Sequence, residues 1–489
     1  MTTAPVDPFR KILGPILFGM LAGLMFIGVW QYLAEPVAAI ALPYSTSRPE
    51  AFVLDGAMRL AQGGTLYQPV SESPTTIHVY NYFAYAIPAL VAMPFETTPE
   101  NILFAGRIVS FATSFALSML LGFWARRNCA TVPVVILAAL LPFFFHDIAL
   151  TQFFRLRPES AATFFSVAAI IVLLKPAIWT KSVAIAAALC VCAFLFKQSF
   201  IVAPVAIAVH FIIRRDWPKL TCFSAVYGGL AAAFLTVMYM TYGAAYFENT
   251  VVSMAANEVR PWEAMTIYSE YFIGNSYGLL LAVPAALFIA WRMREDGALL
   301  MWYWIAALVW NIYSSGKLGS SANYYAEFAS ASILLVVFAL SARQDQSEPL
   351  VKKLPVLFVL APLFAQVSIG AFQGFANHKP IIFRDDTGVN LAPYLARYRT
   401  NEGKLIFHEK IAIQLGHPVG YDWFLTDVLI RQGRYNPNTL IQRIRAGAFD
   451  TIVFSQKPYS YFEREVYKIV SSGPFRREYA DQTVIGRVQ

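Results

Sequence analysis

Four short groups of ionisable residues break an otherwise apolar chain, and their types suit proton abstraction beside an anion. Glu50 and Asp55 form the first. A carboxylate at a membrane surface can deprotonate a hydroxyl as general base if it comes within hydrogen-bond distance. Glu50 has a second reading: Ser47 with Glu50 three residues later matches a capping box, in which the acidic residue only closes a helix start. Asp55 reads either as a base or as part of a solvated helix face.

The second group is Arg155-Leu156-Arg157-Pro158-Glu159, where one apolar run ends and the next begins. Ionisable side chains at membrane depth are costly and tend to mark functional paths. The planar guanidinium fork matches phosphate oxygens, so Arg155 and Arg157 suit a phosphate or pyrophosphate. Snorkelling of Arg155 and a helix start at Pro158-Glu159 are the plainer accounts. Lys197-Gln198 interrupts a nearly continuous apolar run, and an ammonium there needs either a phosphate ligand or an ion pair with Glu159. Lys317 with Asn323-Tyr324 and Glu327 makes a fourth polar turn, although tyrosines are also common at the membrane interface. His78-Val79-Tyr80-Asn81-Tyr82 could line the same cavity or be ordinary interfacial aromatics. His146-Asp147 reads as a satisfied polar pair between helices, and no metal-ligand constellation stands out.

The elements that carry these groups are membrane spans. Only 14% of the 489 residues are charged and 57% are hydrophobic, with a mean hydropathy of +0.51, against about 25% charged in soluble domains. The apolar runs approach the roughly 20 helical residues that cross the hydrocarbon core. Lys/Arg clusters at Arg10-Lys11, Arg126-Arg127, Lys175/Lys181, Arg214-Arg215/Lys219, Arg292/Arg294 and Arg343/Lys352-Lys353 fall at every second turn. The net charge of +8 is thus a positive-inside signal rather than a nucleic-acid footprint. The four candidate groups fall on the opposite side. Four cysteines, all in or beside spans, argue against disulfides. An apolar run after Arg10-Lys11 is too long for a signal-peptide core and reads as an uncleaved first span.

Spans are expected near 12–34, 103–124, 131–152, 159–175, 181–197, 199–214, 219–243, 271–291, 298–316, 322–341 and 354–373. The segment 79–95 decides the sidedness: if it spans, every basic cluster becomes external, so it is read as re-entrant or interfacial. About eleven spans then run from an inside N-terminus to an outside C-terminus. The external stretch 35–78 should hold an amphipathic surface helix lying on the membrane, with Phe52, Ala57, Leu60 and Ala61 as its apolar positions and Gly63-Gly64 at its end. A second external stretch, 244–270, is polar and aromatic, with Glu248, Glu258, Glu263 and Glu270 around Arg260-Pro261-Trp262. Residues 1–373 form the membrane domain. From 374 to 489 charges become dense and turn signals appear at Asp385–Gly388, Asn401–Gly403 and Gly416–Pro418. Lys404–His408 and Thr451–Phe454 read as short strands, Leu425–Gln432 and Asn438–Ala446 as helices, giving a small extracytoplasmic α/β domain.

Several of these motifs resemble the GT-C superfold of polyprenyl-phosphate-sugar-dependent glycosyltransferases, in particular the bacterial mannosyltransferase/RgtA-like group. Glu50-Ala51-Phe52 with Gly63-Gly64 and Leu66-Tyr67 is similar to the family's acidic start of the first external loop. The stretch Tyr80–Pro88 resembles its Tyr-Pro-Pro-Leu segment, Arg157-Pro158-Glu159 its R-P-D, Lys197-Gln198-Ser199 its K-Q-S, and Gly319–Glu327 its late helix start. The likeness covers roughly residues 10–375. It departs where the family usually has Asp-Glu: Pro49 stands at the Asp position, so Glu50 must serve or Asp55 replace it. Glu159 stands for the usual Asp, and the second proline of Pro-Pro is missing. The resemblance implies a multi-pass enzyme of a bacterial inner membrane that moves a sugar from a polyprenyl-phosphate donor to an extracytoplasmic glycan or lipid acceptor, with inversion. It implies Glu50 or Asp55 as base and Arg155, Arg157, Lys197 and Lys317 on the donor phosphate. Glu159, His78, Tyr80, Asn81, Tyr82, Gln198, Asn323 and Tyr324 would line the substrates. No cofactor is expected; a divalent metal is possible for the family but nothing in the sequence supports one. Nucleic acid is not an expected partner. Two other classes are weighed against it. A lipid transporter or flippase should bind near the bilayer midplane and often show related halves. A non-catalytic envelope scaffold would not need Arg157 or Lys197.

Overall fold

The computed structural model describes residues 37, 39–70, 76–128, 132–144, 154–174, 178–269, 276–317, 320 and 322–341, and parts of 358–366, 404–415, 425–454 and 461–479. The expected first span at 12–34, most of the last at 354–373, His146-Asp147, Glu270 and the turn signals at 385–388, 401–403 and 416–418 lie outside the described residues.

Among the described residues, five helices are long and apolar enough to cross a membrane: Pro99–Arg127, Trp179–Phe196, Trp217–Tyr242, Gly297–Ser315 and Asn323–Leu340. Shorter apolar helices run at Glu159–Leu174, Val202–Ile213 and Tyr277–Arg292. Their outer faces present Phe115, Met119, Phe123, Leu230, Met240, Leu281 and Val309, which lipid rather than water would cover. Inward faces carry small residues, so that Ala186, Ala187, Ala203, Ala206, Ala282 and Ala286 share one buried core with Leu334–Val337; small side chains let helix backbones approach closely in a bilayer. Phe83–Ala92, inside the ambiguous 79–95 segment, has ten residues and so rises only about 15 Å, half of what a crossing needs.

The surface helix is Arg48–Ala61. Ser47 caps it by accepting the Glu50 N–H, and Pro49 sits in its first turn, where no N–H is required. It stops at Gly63, whose φ of +73° suits a residue without Cβ. Its buried face holds Ala51, Val53, Leu54, Ala57 and Met58, so the apolar stripe is rotated from the expected one, and Phe52 and Leu60 are only half-buried. The reason is that the helix does not lie on open membrane. Tyr85 and Ala89 of Phe83–Ala92 cover one side, and Ala412 and Ile413 of the Glu409–Gln414 helix pack on the same cluster.

The stretch 244–268 is largely helical: Ala244–Phe247, a π-turn at Glu248–Val252, Ser253–Ala255 and Pro261–Tyr268 follow one another. In the C-terminal part, β1 (Lys404–Ile406), β2 (Thr451–Phe454) and β3 (Arg476–Tyr479) form a parallel sheet in the order β1-β2-β3. Parallel neighbours need crossover connections, and helices Leu425–Arg431, Asn438–Arg445 and Tyr461–Ser472 lie in them. Leu425, Leu429 and Tyr435 then close on Val70 and Ile77, and Gln414 Nε2 donates to the Pro43 carbonyl at 2.7 Å.

Candidate functional site

Glu50 is placed where its carboxylate has nothing left to accept. Arg107 reaches it from the Pro99–Arg127 span with Nε on Oε1 at 2.9 Å and Nη2 on Oε2 at 3.0 Å. The Leu156 N–H donates to Oε1 at 2.8 Å, and the Thr46 N–H and hydroxyl donate to Oε2 at 2.6 and 3.0 Å. Five donors exceed the roughly four lone-pair sites of a carboxylate. Both Glu50 and Arg107 are 0% exposed. Burial raises the Glu50 pKa, but Arg107 and these donors outweigh it and hold the group at about 2. Its oxygens accept from Thr46, Arg107 and Leu156 rather than from the Ser47 N–H, so the reciprocal half of the capping box is not made. The group is a knot that ties the surface helix to the first long span and to the loop carrying Arg157. Gly106 makes that loop's approach possible, since a Cβ there would stand 2.1 Å from Leu156 Cδ1.

Asp55, one turn further along the helix, keeps 16% of its side chain exposed. Its Oδ2 lies 2.9 Å from Arg59 Nε and 3.0 Å from His78 Nε2, ion-pair distances at which neither Oδ2 nor His78 Nε2 meets hydrogen-bond geometry. Arg59 is itself held by Gln68 Oε1 at 2.8 Å and Thr76 Oγ1 at 3.4 Å. Burial raises the Asp55 pKa, and the His78 and Arg59 contacts more than reverse it, leaving the group below the usual carboxylate range. Burial pushes the His78 ring down.

The cations gather around Glu159. Lys197 ends the Trp179–Phe196 helix in an extended conformation, which turns its ammonium inward to Glu159 Oε1 at 2.8 Å. Of the two expectations for Lys197, the ion pair is therefore the one realised in this structure. Asn323 Nδ2 donates to the same oxygen at 2.6 Å. The ammonium also stands 4.8 Å from the Tyr324 ring centroid and 5.4 Å from that of Tyr80, a cation–π arrangement. Arg157 adds a second positive charge felt by Glu159 and Tyr80. It is 8% exposed, yet its Nε, like Glu159 Oε2, has no hydrogen-bond partner among the described residues. Two cations thus face one carboxylate, with donor and acceptor capacity unspent.

The expected lining residues divide by role. Tyr80 touches the cation cluster; its carbonyl accepts from Tyr67 Oη at 2.8 Å and its N–H donates to Tyr85 Oη at 3.1 Å. Gln198 Nε2 donates to the Val79 and Thr250 carbonyls at 2.6 and 2.7 Å. Asn81 donates to the Phe194 carbonyl and accepts from Tyr246 Oη. These two are staples that hold the 76–82 segment, and Tyr82 packs on the core beneath it. Arg155 is half-buried. Lys317 stands with its ammonium 5.8 Å from the Tyr313 ring centroid and its backbone bridged to Val259, not on Glu159.

Sequence reasoning missed Arg107, Arg59, Thr76 and Asn249. A signal existed for the first: Arg107 is a lone arginine deep in an apolar helix and had to have a partner. The other three look like ordinary surface or loop residues until Arg59 meets Gln68 and Thr76, and Asn249 meets Gln68 and His78. Among the described residues, no group of three or more His, Cys, Asp or Glu side chains could hold a metal ion.

No family model and no curated protein matches this sequence. Solved structures do. ArnT from Cupriavidus metallidurans bound to undecaprenyl phosphate is similar over 90% of this chain and 92% of that one, at 13% identity and a TM-score of 0.56. The chain has the GT-C superfold. The apo state of the same ArnT gives the same figures, 13% identity and a TM-score of 0.56. The archaeal oligosaccharyltransferase AglB from Archaeoglobus fulgidus, in complex with an inhibitory peptide and a dolichol-phosphate, reaches 11% identity and a TM-score of 0.48 over 84% of this chain and 64% of that one, too slight a likeness to argue from. At these identities the GT-C fold is what is shared, and roles must come from this chain's own residues.

Proposed function

We propose that the protein is a membrane glycosyltransferase that moves a sugar from a polyprenyl-phosphate donor to a hydroxyl of an extracytoplasmic glycan or lipid, with inversion at the anomeric carbon. One observation carries this reading: a partly exposed carboxylate and a buried cation cluster meet on one short segment. His78 touches Asp55 and Tyr80 touches Lys197, and two residues along an extended chain separate Cα atoms by only about 7 Å. Asp55, rather than the saturated Glu50, accepts the acceptor's hydroxyl proton. The freed oxygen attacks the anomeric carbon as the bond from that carbon to the phosphate oxygen breaks. The lipid phosphate departs with one more negative charge, and Arg157 and Lys197 stabilise it without any general acid. One well-placed donor of this kind is worth about 3–4 kcal/mol at the barrier. Lys317 and Arg155 are left outside this assignment.

The reading gains support from the fold shared with ArnT, whose structure was determined with undecaprenyl phosphate. A flippase is less favoured because the charges gather at one surface rather than at midplane. The positive-inside bias supports a bacterial inner membrane with the site and the C-terminal domain, residues 374–489, outside; a reporter fused after Arg127 then reads cytoplasmic. The test is glycan and lipid-linked-sugar analysis of cells lacking the gene. Loss of one sugar residue with accumulation of its lipid-linked form is expected. Unchanged glycans with lost movement of labelled lipid would replace the transferase by a flippase.

A further inference from the structure

The residue that stands behind Asp55 has no surface of its own. The His78 ring is 0% exposed, so it cannot meet a substrate, yet its position is constrained from four directions. Gly56, next to Asp55, leaves the space it fills: a Cβ there would lie 2.8 Å from His78 Cδ2 and 2.3 Å from Tyr85 Cδ1. Tyr85 meets the ring edge-on at 5.3 Å and 82°. The His78 N–H donates to Asn249 Oδ1 at 2.9 Å, and Asn249 is itself pinned to the Gln68 and Ala245 carbonyls. On the fourth side, Nε2 stands 3.0 Å from Asp55 Oδ2. The contact is an ion pair by distance, with neither atom in hydrogen-bond geometry; a carboxylate can only accept, so it is attractive when this nitrogen is protonated.

Arg59 already neutralises the same oxygen from within the surface helix, and that contact is enough for an ordinary salt bridge. A second donor brought in from another segment and buried completely fixes the carboxyl's direction instead. We propose that His78 is the positioning residue of the proton-accepting carboxylate: it holds Asp55 Oδ2 from behind and turns the exposed edge of the group toward the acceptor hydroxyl. This rests on the reading of Asp55 as base. Because Tyr80 lies two residues on, beneath Lys197, the segment that aims the base also meets the phosphate cations, so the two halves of the site move together. The charged and titratable groups facing the pair are Asp55 and Arg59 from the surface helix and Tyr85 from Phe83–Ala92. Thr76 and Asn249 are the neutral polar neighbours.

The test uses the full chain in native membranes. The substrates are the lipid and envelope extracts of cells lacking the gene, and the readout is sugar transfer across pH. His78→Ala is expected to lower kcat about 30-fold with the KM for the lipid fraction changed less than about threefold. Losing a donor to a carboxylate raises its pKa, so the acid limb of the kcat/KM profile should move up by about one pH unit. His78→Gln, whose amide nitrogen reaches the same oxygen, should recover activity to within about fivefold of wild type and restore the limb. If the alanine variant does not fold, His78→Asn, too short to reach Oδ2, replaces it with the same expectation. An unmoved acid limb, or a glutamine variant as impaired as the alanine one at an unchanged Tm, overturns the positioning role and leaves Asp55 as base untouched. Full activity of Asp55→Asn overturns the base reading itself, and the role of His78 with it.

Discussion

Two carboxylates five residues apart on the surface helix differ in what surrounds their charge. Glu50 is saturated and buried against Arg107, whereas Asp55 keeps an exposed edge. Glu50→Gln strands a buried guanidinium, a loss of about 3–5 kcal/mol. It should lower the Tm in detergent while the folded fraction keeps kcat within a few-fold of wild type. Asp55→Asn should do the reverse, with Tm near wild type and kcat down about 10²–10⁴-fold. The Glu50 pKa falls from 4.5 to about 2 on folding, so its stabilisation is fully present above about pH 4.5 and is lost as pH falls through about 2. The difference amounts to about 3 kcal/mol. Acid unfolding monitored by circular dichroism should show this loss, and Glu50→Gln should flatten that part of the curve.

At the scale of elements, three pieces with no reason to meet in sequence join the Lys197 end of Trp179–Phe196 and the Asn323-Tyr324 turn to build the site. The three are the surface helix, the turn 154–159 before the Glu159–Leu174 helix, and the segment 76–82. Gly106 decides how closely the second piece approaches, because Leu156 occupies the volume a side chain would take. Gly106→Ala should cost about 1–3 kcal/mol through overpacking, despite alanine's better helix propensity. Adding Leu156→Ala should recover part of the loss, and a double-mutant cycle on Tm measures the coupling. The surface helix also shows how far pattern reading reaches. Its cap, its start at Pro49 and its stop near Gly63 follow from local chemistry. Its buried face does not, because a helix covered from two sides is no longer read by a single stripe of apolar positions.

At the scale of the whole molecule, the C-terminal part is seated on the site rather than tethered beside it. Leu425, Leu429 and Tyr435 pack on Val70 and Ile77, and Ile77 precedes His78. Leu429, fully buried in this contact, should tolerate no charge. Leu429→Asp is expected to lower sugar transfer about tenfold or more by loosening its contacts with Val70 and Ile77, with the membrane helices still folded by circular dichroism. Retention of full transfer would mean that the segment carrying Ile77 holds its shape without this cover.

The membrane class, the positions of five spans and the pool of charged candidates were legible in the chain itself, because hydrophobicity is a sum over near neighbours. Helices Glu159–Leu174 and Trp217–Tyr242 start and stop close to where apolar runs begin and end. The short strands at Lys404–Ile406 and Thr451–Phe454 were likewise visible as apolar runs between turn signals. Which carboxylate keeps an exposed edge was decided only in three dimensions. Arg107 lies 57 positions from Glu50, and Asn323 lies 164 from Glu159. The same holds for Lys197, whose ion pair with Glu159 competes with any phosphate. A residue's type states what it can donate or accept, whereas its partners, and so its remaining capacity, depend on distances that only the packed chain sets.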